Sequence, residues 1–428
     1  MNTELKERLI AWRRDFHRHP EQGFLELRTA SIVAGELDRL GYTLKTGLDV
    51  MVPEEMMGRH DREAIEKQVD WARQHDANLE FLERFREGYT GIVAEWDTGR
   101  PGPVTTFRVD MDALPIVESD DAGHFPQQQG FSSTVPGSMH ACGHDAHTSI
   151  GLGLAVRISE TAESFSGVIR ILFQPAEEGT RGAKSMTAAG VVDDTDYFIA
   201  SHVGTGVPHR HVVAAANGFM ATTKLNVTFR GKASHAGAKP EDGNNALLAA
   251  ANAALNLHAI SRHSGGASRI NVGELHAGSG RNIVADSAEM KIETRGETSE
   301  VNRYVREQAE SVIAGAAAMY GVAYELDIVG EATSSKCSPE LAEILVECAT
   351  PSPFVEQIVF EDNTSAGSED ATYFMERVKG RGGLATYCIF GTNLAAGHHN
   401  EKFDIDEETM FAGVDVLYRV AQRLNALN

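Results

Sequence analysis

Apolar residues recur at three- and four-residue spacing through 4–19 and again through 25–40 (LELRTASIVAGELDRL), with Gly41 where a helix would stop. This spacing predicts two helices at the start of the chain. Residues 54–88 are dense in charge yet carry Ile65, Val69, Trp71, Leu79, Leu82 and Phe85 at near-helical intervals. They are expected to form an amphipathic helical pair, inserted between Val50 and a strand over 90–96. Short apolar runs bounded by turn residues follow at 104–109, 168–173 and 197–202, separated by helix-like stretches at 147–159 and 183–189. Strands alternating with helices predict an α/β sheet covered on both faces, with ligands gathering at the carboxyl ends of the strands.

From about Asn217 the pattern changes to a strand at 224–229, a helix at 245–260, strands at 269–275 and 289–294, a helix at 299–319 and a strand at 322–329. The order β-α-β-β-α-β is that of a ferredoxin-like unit. After Ser334 the first pattern resumes, with a helix at 339–349, a turn at 367–370, a strand at 385–390 and a last helix from Glu407. The expected organisation is therefore one domain from 1–217 plus 334–428, carrying the helical insert at 54–88, and a second domain at 218–333 placed inside it.

Composition narrows the function. A chain of 428 residues is too long for one core, which agrees with two domains. Asp and Glu number 61 against 39 Lys and Arg, a formal charge of −22. That field repels phosphate backbones and anionic lipids, so neither nucleic acid nor membrane is expected as a partner. The opening MNTELKERLIAWRRDFHRHPEQ is charged throughout, unlike the apolar core of a secretory signal, and no run approaches the roughly 20 apolar residues of a membrane span. Cysteines at 142, 337, 348 and 388 have no disulfide-framework spacing, and the expectation is a cytoplasmic protein.

The chemistry concentrates in MHACGHDAH, which sets His140, Cys142, His144, Asp145 and His147 within a few residues of one another. All are metal-capable, and a Cys-x-His pair can chelate one borderline ion from a turn. The competing reading is a reactive cysteine beside histidines, a thiol hydrolase. Directly after the strand at 168–173 come Glu177 and Glu178. Adjacent carboxylates in one loop can divide labour, one holding metal and the other acting as general base. His202 and the pair His398–His399 follow further strands, so these groups are expected to converge at one edge of the sheet. One or two divalent ions there would polarise a carbonyl and generate hydroxide near neutral pH.

Those segments, together with RVDMDALP, LFQPAEEGTRGA, SHVGTG, GKASHAGAKPEDGNNAL, GSEDATYFM and AAGHHNEKFDIDEE, resemble the M20 metallopeptidases in their aminoacylase/amidohydrolase branch, over nearly the whole chain and in order. The resemblance implies a zinc-peptidase-like catalytic α/β domain with an inserted ferredoxin-like α+β domain serving as lid or dimerisation module. It also implies metal ligands at Cys142, His144, Glu178, His202 and His399, with His398 as the alternative to His399. Glu177 matches the general base, and Asp110 matches an aspartate that steers the base or a metal-bound histidine. His235 matches a histidine that, in related dimers, reaches the partner's site and stabilises the oxyanion, while Asn282 and Arg295 match residues gripping a substrate carboxylate. Two divalent ions per chain, manganese or zinc, are implied. The expected reaction is hydrolysis of an N-acyl amino acid, p-aminobenzoyl-glutamate foremost, with dipeptides and other N-acyl amino acids as alternatives. The expected assembly is a homodimer or a heteromer with a related subunit, in which this chain could instead be a metal-binding, non-catalytic member.

Overall fold

The computed structural model describes residues 1–364 and 367–427, and the chain divides into two compact units. One comprises Met1–Asn217 and two later stretches that begin at Ser335 and Asp370; the other comprises Gly218–Ser334 and a short segment ending at Glu369.

The larger unit opens with helices Thr3–Arg18 and Leu27–Arg39 and strand β1 (Thr43–Thr46). The charged insert follows as helices Arg62–Gln74 and Leu79–Phe85, with Asp61 and Asn78 accepting bonds from Ala64 N and Glu80 N at their amino ends. Ile65, Val69, Phe81, Leu82 and Phe85 turn inward, as the apolar spacing requires. Next come β2 (Ile92–Asp97), β3 (Val104–Asp110), β4 (Val168–Gln174), β5 (Tyr197–Val203) and β6 (His211–Ala216). The smaller unit supplies β7 (Ala221–Arg230), β8 (Ser268–Ala277), β9 (Ser287–Gly296) and β10 (Ala323–Ala332) before the chain returns for β11 (Gln357–Asp362) and β12 (Leu384–Phe390).

Eight strands form one sheet in the order β1-β2-β4-β3-β5-β12-β6-β11. Its centre, β4-β3-β5-β12, is parallel throughout, so the carboxyl ends of four strands share one edge. These strands are buried on both faces and accordingly read as continuous apolar runs. Helix His144–Glu160 packs beside β3 against helices Thr3–Arg18 and Thr409–Leu424, and it is buried around its circumference. Gly143 begins it at φ 94°, a left-handed conformation, and a Cβ there would lie 2.7 Å from Val203 Cγ2. Only glycine fits both conditions.

The smaller unit is a four-stranded antiparallel sheet, β10-β7-β9-β8, carrying helices Ala246–His258 and Ser299–Tyr320. Leu225, Val227, Phe229, Met290, Ile292 and Ile313 fill its core. This strand order is the ferredoxin-like one.

Several elements depart from expectation. Strands β1, β6 and β11 and helices Phe125–Gln129 and Thr372–Gly380 lie where no element was predicted. β6 is HVVAAA, an alanine-rich run without alternation, and it becomes a strand because β12 and β11 flank it. The segment ending at Glu369 was expected in the larger domain, yet it packs with the smaller unit: Met220 N donates to Gly367 O at 2.9 Å and Ser368 Oγ donates to Met220 O at 2.8 Å. Among the described residues no helix is long and apolar enough to cross a membrane.

Candidate active site

The four parallel strand ends bring the metal-capable groups together. Donor atoms of Cys142, His144 and His202 lie within 4.8 Å of one another, as do those of Cys142, Glu178 and His399 and those of His144, Glu177 and Glu178. Of the other residues in MHACGHDAH, Asp145 turns to Arg13 at 3.2 Å and His17 at 2.9 Å. His140 is buried with both ring nitrogens outside any hydrogen bond among the described residues.

Hydrogen bonds fix which ring nitrogens can face a ligand. His202 Nδ1 donates to Val203 O at 2.7 Å, leaving the Nε2 lone pair 3.5 Å from Cys142 Sγ. His398 is set the other way: Nε2 accepts Thr205 N–H at 2.9 Å, so its Nδ1 carries the proton, 3.5 Å from Cys142 Sγ. His399, at φ 62°, places Nε2 3.4 Å from Glu178 Oε1. Both histidines of the pair therefore border the cluster, but the lone pair of His398 is engaged by a backbone amide.

Asp112 joins the loops and was not anticipated. Its Oδ1 accepts Glu177 N–H at 3.0 Å and lies 3.2 Å from His144 Nδ1, while Oδ2 accepts Glu178 N–H at 2.9 Å. Asp110, expected in the steering role, meets His147 Nδ1 at 2.6 Å and Arg108 Nη1 at 2.7 Å and lies 3.7 Å from His144 Nδ1. His147 in turn accepts Val203 N–H through Nε2 at 2.9 Å. The signal for Asp112 was present in the pair of aspartates two residues apart in RVDMDALP, but the strand ends at Asp110 and only the turn beyond it aims Asp112 at the glutamate loop.

The electrostatics fit a cation. Burial opposes charge on His144, yet Asp110 and Asp112 raise it well above its ordinary range. Burial, with His147 beside it, pushes His202 well down and keeps it a neutral donor of electrons. Burial and the Glu178 carboxylate push the Cys142 thiol up. His144 Nε2 and Glu178 Oε1 are buried without a hydrogen bond among the described residues. An orphaned nitrogen and an orphaned carboxylate oxygen beside the Cys142 sulfur are what a borderline divalent ion satisfies.

In the smaller unit, His235 is exposed and its Nδ1 accepts Gly237 N–H at 3.1 Å and Ala238 N–H at 3.0 Å. The remaining proton is therefore on Nε2, a donor turned away from its own loop. Ala236 N donates to Asn282 O at 3.0 Å, which sets His235 and Asn282 on adjoining loops. Arg295 stands on β9 and is held by Glu293, Nε to Oε2 at 3.0 Å and Nη2 to Oε1 at 3.0 Å. A substrate carboxylate would have to compete with that internal pair.

Comparison with known proteins shows the family. The model for peptidase family M20/M25/M40 matches residues 106–423. The chain is 54% identical over 425 residues to the indole-3-acetyl-aspartic acid hydrolase of Enterobacter agglomerans, covering 99% of this chain and 96% of that protein. It is 53% identical over 419 residues to one of the subunits of p-aminobenzoyl-glutamate hydrolase from Escherichia coli (strain K12), covering 98% and 96%. The crystal structure of the aminobenzoyl-glutamate utilization protein from Klebsiella pneumoniae matches with a TM-score of 0.86 at 50% identity, over 98% of this chain and 96% of that one.

Proposed function

The chain belongs to peptidase family M20/M25/M40, and on that premise we propose that it hydrolyses the amide bond between an aromatic acyl group and an acidic amino acid, p-aminobenzoyl-glutamate first. The relative acting on indole-3-acetyl-aspartic acid is equally similar, and the two named substrates share this chemistry. The observation that carries the reading is the convergence of Cys142, His144, Glu178, His202 and His399 beside the carboxylate of Glu177.

Those five residues would hold two divalent ions, zinc or manganese, and His398 would hydrogen-bond the Cys142 sulfur. Bound divalent ions supply a Lewis acid for the acyl carbonyl and lower the pKa of water toward neutrality. Glu177 takes the proton of the attacking water and returns it to the departing amine. Asp112 holds the backbone of Glu177 and Glu178 and the ring of His144 in register for that transfer. His235 would, as in related dimers, reach the site of a partner subunit and donate its Nε2–H to the developing oxyanion there. Asn282 and Arg295 receive the carboxylates of the amino acid, Arg295 by exchanging Glu293 for substrate. A thiol-nucleophile reading is disfavoured because Cys142 is pushed up, whereas a nucleophilic cysteine needs a lowered pKa.

The same reading has the enzyme in the cytoplasm as a homodimer or with a related subunit. Exposed Leu247, Leu248 and Leu255 on helix Ala246–His258, with Ile283, offer an apolar face for such a contact. The test is release of p-aminobenzoate and of indole-3-acetate by the purified chain loaded with manganese or zinc. Glu177→Ala is expected to retain bound metal and lose turnover. Wild-type-like activity in that variant, or activity that survives complete chelation, would defeat the assignment.

A further inference from the structure

We propose that Glu26 is a positioning residue for the Glu177 base: its buried carboxyl fixes the left-handed turn at Ala176 from which Glu177 and Glu178 are aimed. The inference rests on the reading of Glu177 given above and adds a residue far from it in sequence.

Glu26 occupies the amino end of helix Leu27–Arg39, but its side chain makes no cap hydrogen bond there. Glu21 does that work, accepting Arg28 N–H at 2.9 Å and Thr29 N–H at 2.7 Å. The Glu26 carboxyl is thus available for another segment. Its Oε1 accepts Ala176 N–H at 2.8 Å, and its Oε2 pairs with Thr90 Oγ1 at 2.7 Å, all within a fully buried setting.

Ala176 has φ 51°, a conformation that costs an alanine roughly 1–2 kcal/mol and persists only when its surroundings impose it. The turn is held from three sides. Ala176 O accepts Arg181 N–H at 3.1 Å and Gly182 N–H at 2.9 Å. Gly23 packs so closely that a Cβ would stand 2.7 Å from Ala176 Cβ. Glu26 takes the amide. The three successive amides of residues 176, 177 and 178 thereby all end on buried carboxylates, the first on Glu26 and the next two on Asp112. Reversing the peptide before Ala176 would break the Glu26 bond and swing the base away from His144 Nε2, now 3.8 Å from its Oε2. Burial and the neighbouring Asp112 charge push the Glu26 carboxyl up to about 8, and a neutral carboxyl is what glutamine imitates. Thr90 directly follows the helical insert, so this contact also ties the exit of the insert to the base loop.

The test compares Glu26→Gln, Glu26→Ala and Thr90→Val in the full chain. Glu26→Ala is expected to lower kcat about 100-fold with KM and bound metal nearly unchanged, the scale of a misplaced catalytic group. Glu26→Gln should restore kcat to within about threefold of wild type, because an acceptor for Ala176 N–H remains. Thr90→Val, which frees one carboxyl oxygen without removing the acceptor, should fall between them. Independently of activity, hydrogen exchange in the metal-free protein should speed up about tenfold over residues 174–182 in Glu26→Ala and stay slow in Glu26→Gln. Unchanged kcat in Glu26→Ala overturns the proposal. So does a glutamine variant that fails to rescue both readouts. If Glu26→Ala does not fold, a Thr90→Val enzyme identical to wild type in kcat and exchange overturns it as well. A wild-type chain without amidase activity would defeat the functional reading, while the exchange measurement would still decide whether Glu26 holds the turn.

Discussion

Replacing Asp112 with asparagine probes the junction of the site most directly. The carboxylate faces three N–H groups: Glu177 N and His144 Nδ1 at Oδ1, and Glu178 N at Oδ2, all at 2.9–3.2 Å. Asparagine keeps one acceptor oxygen. In its better orientation it serves Glu177 and His144 but presents its amide nitrogen to Glu178 N–H. A hydrogen bond to a charged acceptor contributes about 1.5–3 kcal/mol, and an orphaned buried donor costs about 1–3 kcal/mol. The two penalties describe the same contact, so a loss of about 2–3 kcal/mol in stability is expected. The larger consequence is at the ligands. His144 loses a charged acceptor on Nδ1 and the Glu178 backbone is released, and partners of this kind typically govern metal affinity by about 10–100-fold. Competition against a chromophoric chelator should show that weakening, and kcat/KM measured at limiting metal should fall with it and partly recover in excess metal. Asp110→Asn is the matched control. It disrupts the buried pairing with Arg108 and His147, so stability should fall more than metal affinity. An Asp112→Asn enzyme that binds metal as tightly and turns over as fast as wild type would refute the argument.

Three further outcomes follow from particular contacts. Burial alone would lower His17, but hydrogen bonds to Asp145 and Glu118 raise it to about 9. Against an unfolded value near 6.5, its contribution of about 3 kcal/mol is complete below pH 6.5 and lost as pH rises through 9. Urea midpoints should therefore decline across that window in wild type and decline less in His17→Gln; parallel curves would count against the pairing. His235→Ala should cut kcat by about 100-fold with bound metal unchanged, and an unaltered kcat would remove it from the oxyanion role. Gly143→Ala, which forces alanine to φ 94° with its Cβ 2.7 Å from Val203 Cγ2, should cost about 2–3 kcal/mol in chemical unfolding and weaken metal binding through His144. Wild-type stability there would contradict the close approach.

Much of this molecule is readable from residue order alone. Apolar runs ended by polar turns located β3, β4, β5 and β12, and a histidine or glutamate pair just past such a run had only one chemical neighbourhood to enter once the strands proved parallel. The β-α-β-β-α-β order and the capped helices of the insert were legible for the same reason: period and capping depend on residues a few positions apart. Cys142, His144, Glu178, His202 and His399 were expected together only because the resemblance to the M20 metallopeptidases implies them as ligands, with His398 as the alternative to His399.

What folding alone decided involves partners distant in the chain. Asp110 and Asp112 are chemically identical, and only the position of β3 beside β4 gives the glutamate loop to Asp112. The tautomers of His202 and His398 depend on Val203 O and Thr205 N, and the geometry of Ala176 on Glu26, 150 residues earlier. Alanine-rich β6 became a strand because β12 and β11 flank it, and Arg295 met Glu293 because alternate residues of a strand share a face. Local preference is worth tenths of a kcal/mol to about one kcal/mol per residue, whereas a buried amide or carboxylate left without its partner costs several, so the long-range pairing prevails wherever the two compete.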